Sequence, residues 1–300
     1  MSLSFSIVMP TLNRRDMLLD AIASIRAQSW PDVEIIVVDG GSTDGTLDAL
    51  AAQRDVRVIN GPDRGLYDAC NKGISAATGD IIGLLNSDDL YESGTFLCVA
   101  QTFATYPYAH AVCGTAFLVE GGRVIATFDD DRDKSIASAR TTLIGSCIPN
   151  ARFFRSAAVQ QIGPFSLDYR YVADRDWLTR WYEAGFVTAA IPQRVYRYRQ
   201  HAGSLTFDAS RRHSIAIYCE LMKLAWRWQS NAEASLETRR MAALLNGRCI
   251  ARLVIDALRH GRPIDALELL FIRKGRVSAG PLADVWASAI DKLRERRSPR

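Results

Sequence analysis

Short apolar runs alternate with helix-spaced apolar positions through the first hundred residues. FSIVM (5–9), VEIIVV (33–38), VRVI (56–59) and IIGLL (81–85) have the length and composition of strands. The last, an unbroken apolar run over 81–85, has the pattern of a strand buried on both faces in a parallel sheet. Between them, Leu18, Ile22 and Ile25 stand at helical spacing within 14–28, with Asn13 as the expected N-cap. Further helices are expected from Thr46 and over 66–77, and Pro10 is expected to stop the first strand. Such alternation predicts an α/β fold, a parallel sheet with helices on both faces.

After residue 108 the pattern changes. VCGTAFLVEGGRVIATF holds two β-prone runs around Gly121 and Gly122, which predicts a hairpin and antiparallel strands added to the sheet. A short helix precedes Gly163 and Pro164, another helix is expected over 174–184, and β-like VTAAI and VYRYR follow. From about 210 the chain reads as helices only, broken near 230, 261–263 and 275–281. The expected domains are 1–209, divided into halves at about residue 108, and a helical extension over 210–300.

Of 300 residues, 48% are hydrophobic and 23% charged, which suits a soluble globular chain. No apolar stretch approaches the roughly 20 residues that span a bilayer, and the start lacks a signal peptide's basic and apolar segments. The expected compartment is the cytoplasm. Six scattered cysteines (70, 98, 113, 147, 219, 249) form no CxxC pair, so neither a disulfide framework nor a zinc site is indicated, and buried thiols are expected. Residues 239–300 hold 14 Lys and Arg against 6 Asp and Glu, whereas residues 1–238 hold 23 against 27. The tail is therefore a basic appendage, open to nucleic acid, to an anionic membrane surface or to a second copy in a homodimer, with a solvated helical face as the commonest reading of such a run. VWASAIDKLRERR (285–297) is its candidate amphipathic segment, for peripheral contact with the inner face of the plasma membrane.

Candidate chemistry lies where the strands end. In an open parallel sheet the carboxyl ends line the ligand crevice, which would gather Thr11, Asn13, Asp39, Asp88 and Asp89. In GDIIGLLNSDDLYESG a core strand stops on Asn86 and two adjacent acids. Like charges so placed repel unless a cation joins them. Mg²⁺ and Mn²⁺ take oxygen ligands and commonly bridge carboxylates to a diphosphate.

Several ordered motifs resemble a known family. VMPTLNRRDMLLDAIASIRAQSWPDVEIIVVDGGSTDGT resembles the opening of family 2 glycosyltransferases of the GT-A fold. DRGLYDACNKGISAATGDIIGLLNSDD resembles the helix, strand and acidic "DxD" element that follow there. The likeness continues through GPFSLDYRYVADRDWLTRWYEAG and YRYRQHAGSLT, covering about residues 3–206. It implies a Rossmann-like mixed sheet between helices and an inverting transfer from a nucleoside-diphosphate sugar, most often a UDP-sugar. The acceptor would be a hydroxyl of a glycan or lipid-linked molecule in bacterial cell-surface polysaccharide or glycolipid synthesis, with Mn²⁺ or Mg²⁺ as cofactor and no nucleic acid as partner.

The resemblance also implies roles. Asp39 would accept a hydrogen bond from the base, with Pro10, Thr11 and Asn13 lining the pocket; capping of the next helix is its structural alternative. Asp68 would touch base or ribose, and Arg64 or Lys72 would face phosphate. Asn86 replaces the first acid of the family's pattern. Either Asp88 or Asp89 is then the direct metal ligand, Asp88 being favoured with Asp89 beside it. Asp174 would be the general base that an attacking hydroxyl requires, with Asp176 as fallback; Ala173 stands where the family usually has Glu. His201 would approach metal or diphosphate, and Arg197 and Arg199, alternating on a strand, would share a face toward phosphate. Trp177 and Trp181 would either stack on sugar or fill core.

Three rivals lose support from the residues. PTLNRR lacks the glycines of a dinucleotide-binding dehydrogenase. A haloacid-type phosphatase needs a second acid two residues after the first, where Asp39 is followed by two glycines. A non-catalytic nucleotide-sugar or glycan-binding protein of the same fold is disfavoured by the presence of Asp39, Asp88, Asp89, Asp174 and His201 together.

Overall fold

The computed structural model describes residues 3–146, 148–201, 203 and 211–261. The chain divides into two compact units, residues 1–207 and 208–300. In the first, β1 (Phe5–Thr11), α1 (Arg15–Arg26), β2 (Val33–Asp39), α2 (Thr46–Ala51), β3 (Val56–Asn60), α3 (Leu66–Ala76) and β4 (Ile81–Leu84) alternate as expected. Then come β5 (Leu90–Tyr91), α4 (Thr95–Thr105), the hairpin β6 (Ala111–Glu120) and β7 (Arg123–Phe128), and α5 (Asp131–Ser135) and α6 (Ala139–Leu143). β8 (Arg152–Arg155), α7 (Ser156–Ile162), α8 (Ala173–Glu183) and β9 (Thr188–Arg199) complete it.

The strands form one mixed sheet in the order β3-β2-β1-β4-β8-β6-β9-β5, with β7 on β6. β1 to β4 are mutually parallel, and β8 enters antiparallel to both β4 and β6. Gly121 and Gly122, at φ 55° and 82°, make the tight β6–β7 turn that the glycine pair predicts.

The first strand does not stop at Pro10 but runs through it to Thr11. Leu85 N donates to Val8 O, so even-numbered residues of β1 face β4, whose last recorded pair with β1 is Val8 with Leu84. Pro10 thus faces an edge that β4 has already left, and its missing N–H removes no ladder bond. VTAAI and VYRYR are one strand, β9, not two.

Helices α1 and α4 bury Leu18, Ile22, Phe96, Val99 and Phe103 in a core cluster with Phe5, Ile7, Val37, Ile81 and Phe153. α3 packs closely enough on β1 and β2 that only glycine fits at its contact: a Cβ on Gly73 would lie 2.3 Å from Val8 Cγ1 and 3.1 Å from Val38 Cγ2. Gly73→Ala is therefore expected to lower stability by about 1–3 kcal/mol through overpacking, read as a lower urea midpoint at unchanged slope. An unchanged midpoint would show that α3 can shift freely. Trp177 and Trp181 are core residues: both are fully buried, their rings face Phe154, and their Nε1 atoms donate to Gly163 O and Thr188 Oγ1.

Of the expected buried thiols, Cys70, Cys113 and Cys249 are buried, Cys98 and Cys219 are only half-buried, and Cys147 lies outside the described residues. The second unit contains α9 (Arg211–Ser230) and α10 (Leu236–Arg259), packed through Ile250 and Leu253 against Ile215, Tyr218 and Met222. Ser235 caps α10, its Oγ accepting from Thr238 N at 3.1 Å. The segment 285–297 lies outside the described residues.

Candidate active site

The candidate residues lie on the loops at the carboxyl ends of β1, β2 and β4, between β3 and the first turns of α3, just after β9 and at the start of α8. Asn13 does not cap α1: its φ is 52°, the N-cap is Arg14, and no side chain bonds that cap. Instead Asn13 stitches two strand ends together. Its N donates to Ser42 Oγ and its Oδ1 accepts from Thr43 N, both at 2.8 Å.

Asp39 is fully buried. Its Oδ1 accepts from Gly41 N at 2.9 Å and Ser42 N at 2.8 Å, fixing the loop after β2; the N-cap of α2 is Gly45, so Asp39 is not the helix cap. Its Oδ2 has no hydrogen-bond partner, and neither has Thr11 Oγ1, its register partner on β1. Two buried acceptors left open at adjacent strand ends are costly unless a ligand donor meets them.

The loop of Asp63 closes over the same place. A Cβ on Gly40 would sit 2.6 Å from Asp63 Oδ2, so only glycine admits the carboxylate there. On α3, which follows that loop, Asp68 Oδ2 accepts from Arg64 N at 3.0 Å and meets Lys72 Nζ at 3.2 Å, and Lys72 also donates to Pro62 O. These contacts, the Arg64 amide foremost, lower the Asp68 carboxyl's pKa. The structure thus ties Asp68 and Lys72 to each other, while the Arg64 side chain is 75% exposed.

The two adjacent acids part company. Asp89 is fully buried: Tyr196 OH and Asn86 Nδ2 donate to Oδ2, and Arg199 N donates to Oδ1 at 2.8 Å. Burial, and then the charge of Asp88, push its carboxyl up to about 8 against those three donors. Asp88 faces the loop ends instead, its Oδ2 3.0 Å from His201 Nε2 and 3.9 Å from Arg14 Nε. Gly203 N donates to His201 Nδ1 at 3.1 Å, so Nε2 donates to Asp88 here; coordinating an ion through Nε2 would require the ring proton to leave that nitrogen.

Arg197 and Arg199 do not present a phosphate-binding face. Arg197 pairs with Glu92 at 2.7 Å, and Arg199 spans Asp88 O, Asp20 Oδ2 and Met17 O, a staple between β9, the acidic loop and α1. Among the described residues no three His, Cys, Asp or Glu side chains converge as a metal cluster. The Asp88–His201 pair supplies one hard oxygen and one imidazole, a donor set that fits a divalent ion whose other ligands are phosphate oxygens and water.

At the head of α8, Asp174 is partly buried, its Oδ1 accepting from Arg175 N at 2.8 Å. Burial raises its pKa, with Arg175 opposing. Beside it, Tyr67 OH donates to Tyr171 O at 3.1 Å. Asn71 exchanges two amide hydrogen bonds with Phe165, so the first turns of α3 hold the 163–172 loop that delivers Asp174. Asp176 is placed elsewhere. It is fully buried and paired with Arg180 at 3.1 Å, and that guanidinium grips Ile162 O and Pro164 O. No acceptor hydroxyl reaches a carboxylate so enclosed, which removes Asp176 as the fallback base.

The model of the family described as "Glycosyl transferase family 2" matches residues 6–163 of this chain. The chain belongs to that family. A "PGL/p-HBAD biosynthesis glycosyltransferase" of Mycobacterium bovis (strain BCG / Pasteur 1173P2) is 36% identical to this glycosyltransferase over 183 residues, covering 59% of this chain and 68% of the relative. Among solved structures, Staphylococcus aureus TarS 1-349 in complex with UDP-GlcNAc superposes with TM-score 0.65 at 19% identity, over 83% of this chain and 72% of that one. The mannosyltransferase PcManGT of Pyrobaculum calidifontis, in complex with GDP-Man and Mn²⁺, gives 0.59 at 17% identity, over 98% of this chain and 81% of that one. These two likenesses give the GT-A fold of the glycosyltransferase, a mixed sheet between helices.

Sequence reasoning missed Arg14, Tyr67 and Asn71. Arg14 left a faint signal in the turn PTLNRR, where a cation follows the strand end directly. Tyr67 and Asn71 left only their helical spacing; their partners lie about a hundred residues away.

Proposed function

We propose that this chain is an inverting, metal-dependent glycosyltransferase whose donor is a nucleoside-diphosphate sugar and whose acceptor is a hydroxyl of a cell-surface glycan or lipid-linked saccharide. The carrying observation is the split acidic pair, with Asp89 locked inward as a strut and Asp88 turned toward His201 and Arg14. In this reading Asp39 Oδ2 and Thr11 Oγ1, open and buried, receive the base, with Pro10 and Asn13 as walls. Arg64, 75% exposed and 3.9 Å from Asp68, reaches toward phosphate. Asp88 and His201 hold the divalent ion, which when bound neutralises charge on the departing diphosphate. Asp89 positions the Asp88 loop rather than ligating the ion. Asp174 takes the acceptor's proton as the hydroxyl oxygen attacks the anomeric carbon, and one displacement inverts that carbon. The PGL/p-HBAD biosynthesis relative supports a cell-surface substrate, and the UDP-GlcNAc bound to TarS supports a UDP-sugar; PcManGT supports Mn²⁺ while keeping GDP-sugars in view.

Thermal shift against UDP, GDP and dTDP, each with and without Mn²⁺, tests this reading, because a ligand that binds only the folded chain raises its melting temperature. One nucleotide is expected to stabilise, more so with metal, and Asp39→Ala is expected to weaken that nucleotide at least tenfold. If every nucleotide leaves the folded protein unshifted, the donor assignment is wrong.

A further inference from the structure

Helix α10 has two faces of different character. Leu245, Ile250 and Leu253 lie on the buried one. On the opposite face Leu236, Leu244, Ile255 and Leu258 are 55, 43, 45 and 55% exposed, with exposed Ala243 and Ala251 between them. At 100° per residue these positions form one stripe along roughly a third of the helix circumference. Arg240 lies within the stripe, and Arg248, Arg252 and Arg259 line one flank, all four exposed. None of the four has an acidic partner among the described residues. The acids on this helix are Glu237 at its start and Asp256, which is paired with His260 at 3.4 Å.

We propose that this face of α10 is a docking surface for an anionic phospholipid bilayer. An apolar stripe edged by arginine is the arrangement of a helix lying in a membrane interface, with leucines among the acyl chains and guanidinium groups at the phosphates. With 24 residues the helix is about 36 Å long and would rest in the plane of the bilayer; among the described residues no helix is long and apolar enough to cross it. Charge complementarity selects the occupant. A second copy docked on the same face would bring four uncompensated arginines from each chain into one interface, and nucleic acid would leave the leucines in water. The proposal stands apart from the donor and base assignments, since it concerns only the second unit.

The test is sedimentation of the full chain with phosphatidylglycerol or phosphatidylcholine vesicles, at low salt and at about 0.5 M salt. Binding is expected on phosphatidylglycerol, at least tenfold weaker on phosphatidylcholine, and weakened by salt. The triple variant R248S/R252S/R259S is expected to lose at least tenfold, each arginine near an anionic surface being worth roughly fivefold in partition. L244S/I255S is expected to lose binding as well, with circular dichroism and melting temperature unchanged, because both side chains are already exposed. Absence of binding at low salt would overturn the proposal. So would vesicle binding that ignores both variants, which would assign the contact to another surface, or a solution dimer that L244S/I255S converts to monomer.

Discussion

Asp174→Asn is expected to lower kcat by about a thousandfold, within the roughly 10²–10⁴ that a positioned general base contributes, while nucleoside-diphosphate affinity stays unchanged. The carboxylate leaves, but the amide keeps its shape at the head of α8, and nothing in the proposed base pocket at Asp39 is touched. The pH profile carries a second sign. Burial raises the Asp174 pKa above the ordinary carboxylate value, so the acidic limb of kcat/KM is expected above the usual carboxylate range, where the base loses its proton. Stability follows the same shift. With a folded pKa above the unfolded one, the folded state holds more protons between the two values, so this group's contribution falls as pH rises through that window. The asparagine variant has no such charge to bury and is expected to gain in melting temperature relative to the wild type on going from below the window to neutral pH. Retention of kcat by the variant would place the base elsewhere.

Asp88→Asn is expected to reduce transfer at least a hundredfold and to remove the extra nucleotide stabilisation that Mn²⁺ confers. An amide is a far weaker ligand for a hard cation than a carboxylate, and His201 would then face the diphosphate without its anionic partner. His201→Ala is expected to do less, about 10- to 100-fold, because one oxygen ligand survives. The double variant should fall little below Asp88→Asn, since residues 3.0 Å apart act as a unit if, as proposed, they serve one ion. Isothermal titration of the nucleotide with and without Mn²⁺ reads the effect directly. A metal increment that persists in Asp88→Asn would move the ion to other ligands.

The two acids show where one-dimensional reading ends. That a buried strand would stop on NSDD, at the sheet edge where ligands bind, was legible from the apolar run and its position. Which acid faces out was not. Asn86 to Asp89 is a turn, closed by Asp89 N donating to Asn86 O, and a turn has no alternation from which to read facing. Asp89 is claimed by Tyr196 and by the Arg199 amide, more than a hundred residues away. Arg197 and Arg199 fail as phosphate ligands for the related reason that alternation gives a shared face and not its partner. Glu92, Asp20 and the Met17 carbonyl are brought to that face only by the fold.

Sequence by itself determined the order and type of the elements from β1 to β4 and the β6–β7 hairpin, because apolar period, glycine pairs and polar strand ends are local physical demands. It also showed that carboxylates stand where β2 and β4 end. Only the tertiary structure decided the division of labour among them. Asp39 keeps one oxygen open and Asp176 spends its charge on Arg180 inside the core, while Asp174 stands beside Tyr67 with a raised pKa. Burial, and the hydrogen-bond donors that distant segments bring, set whether a carboxylate braces the fold or faces a ligand, and neither is encoded in the spacing of neighbours along the chain.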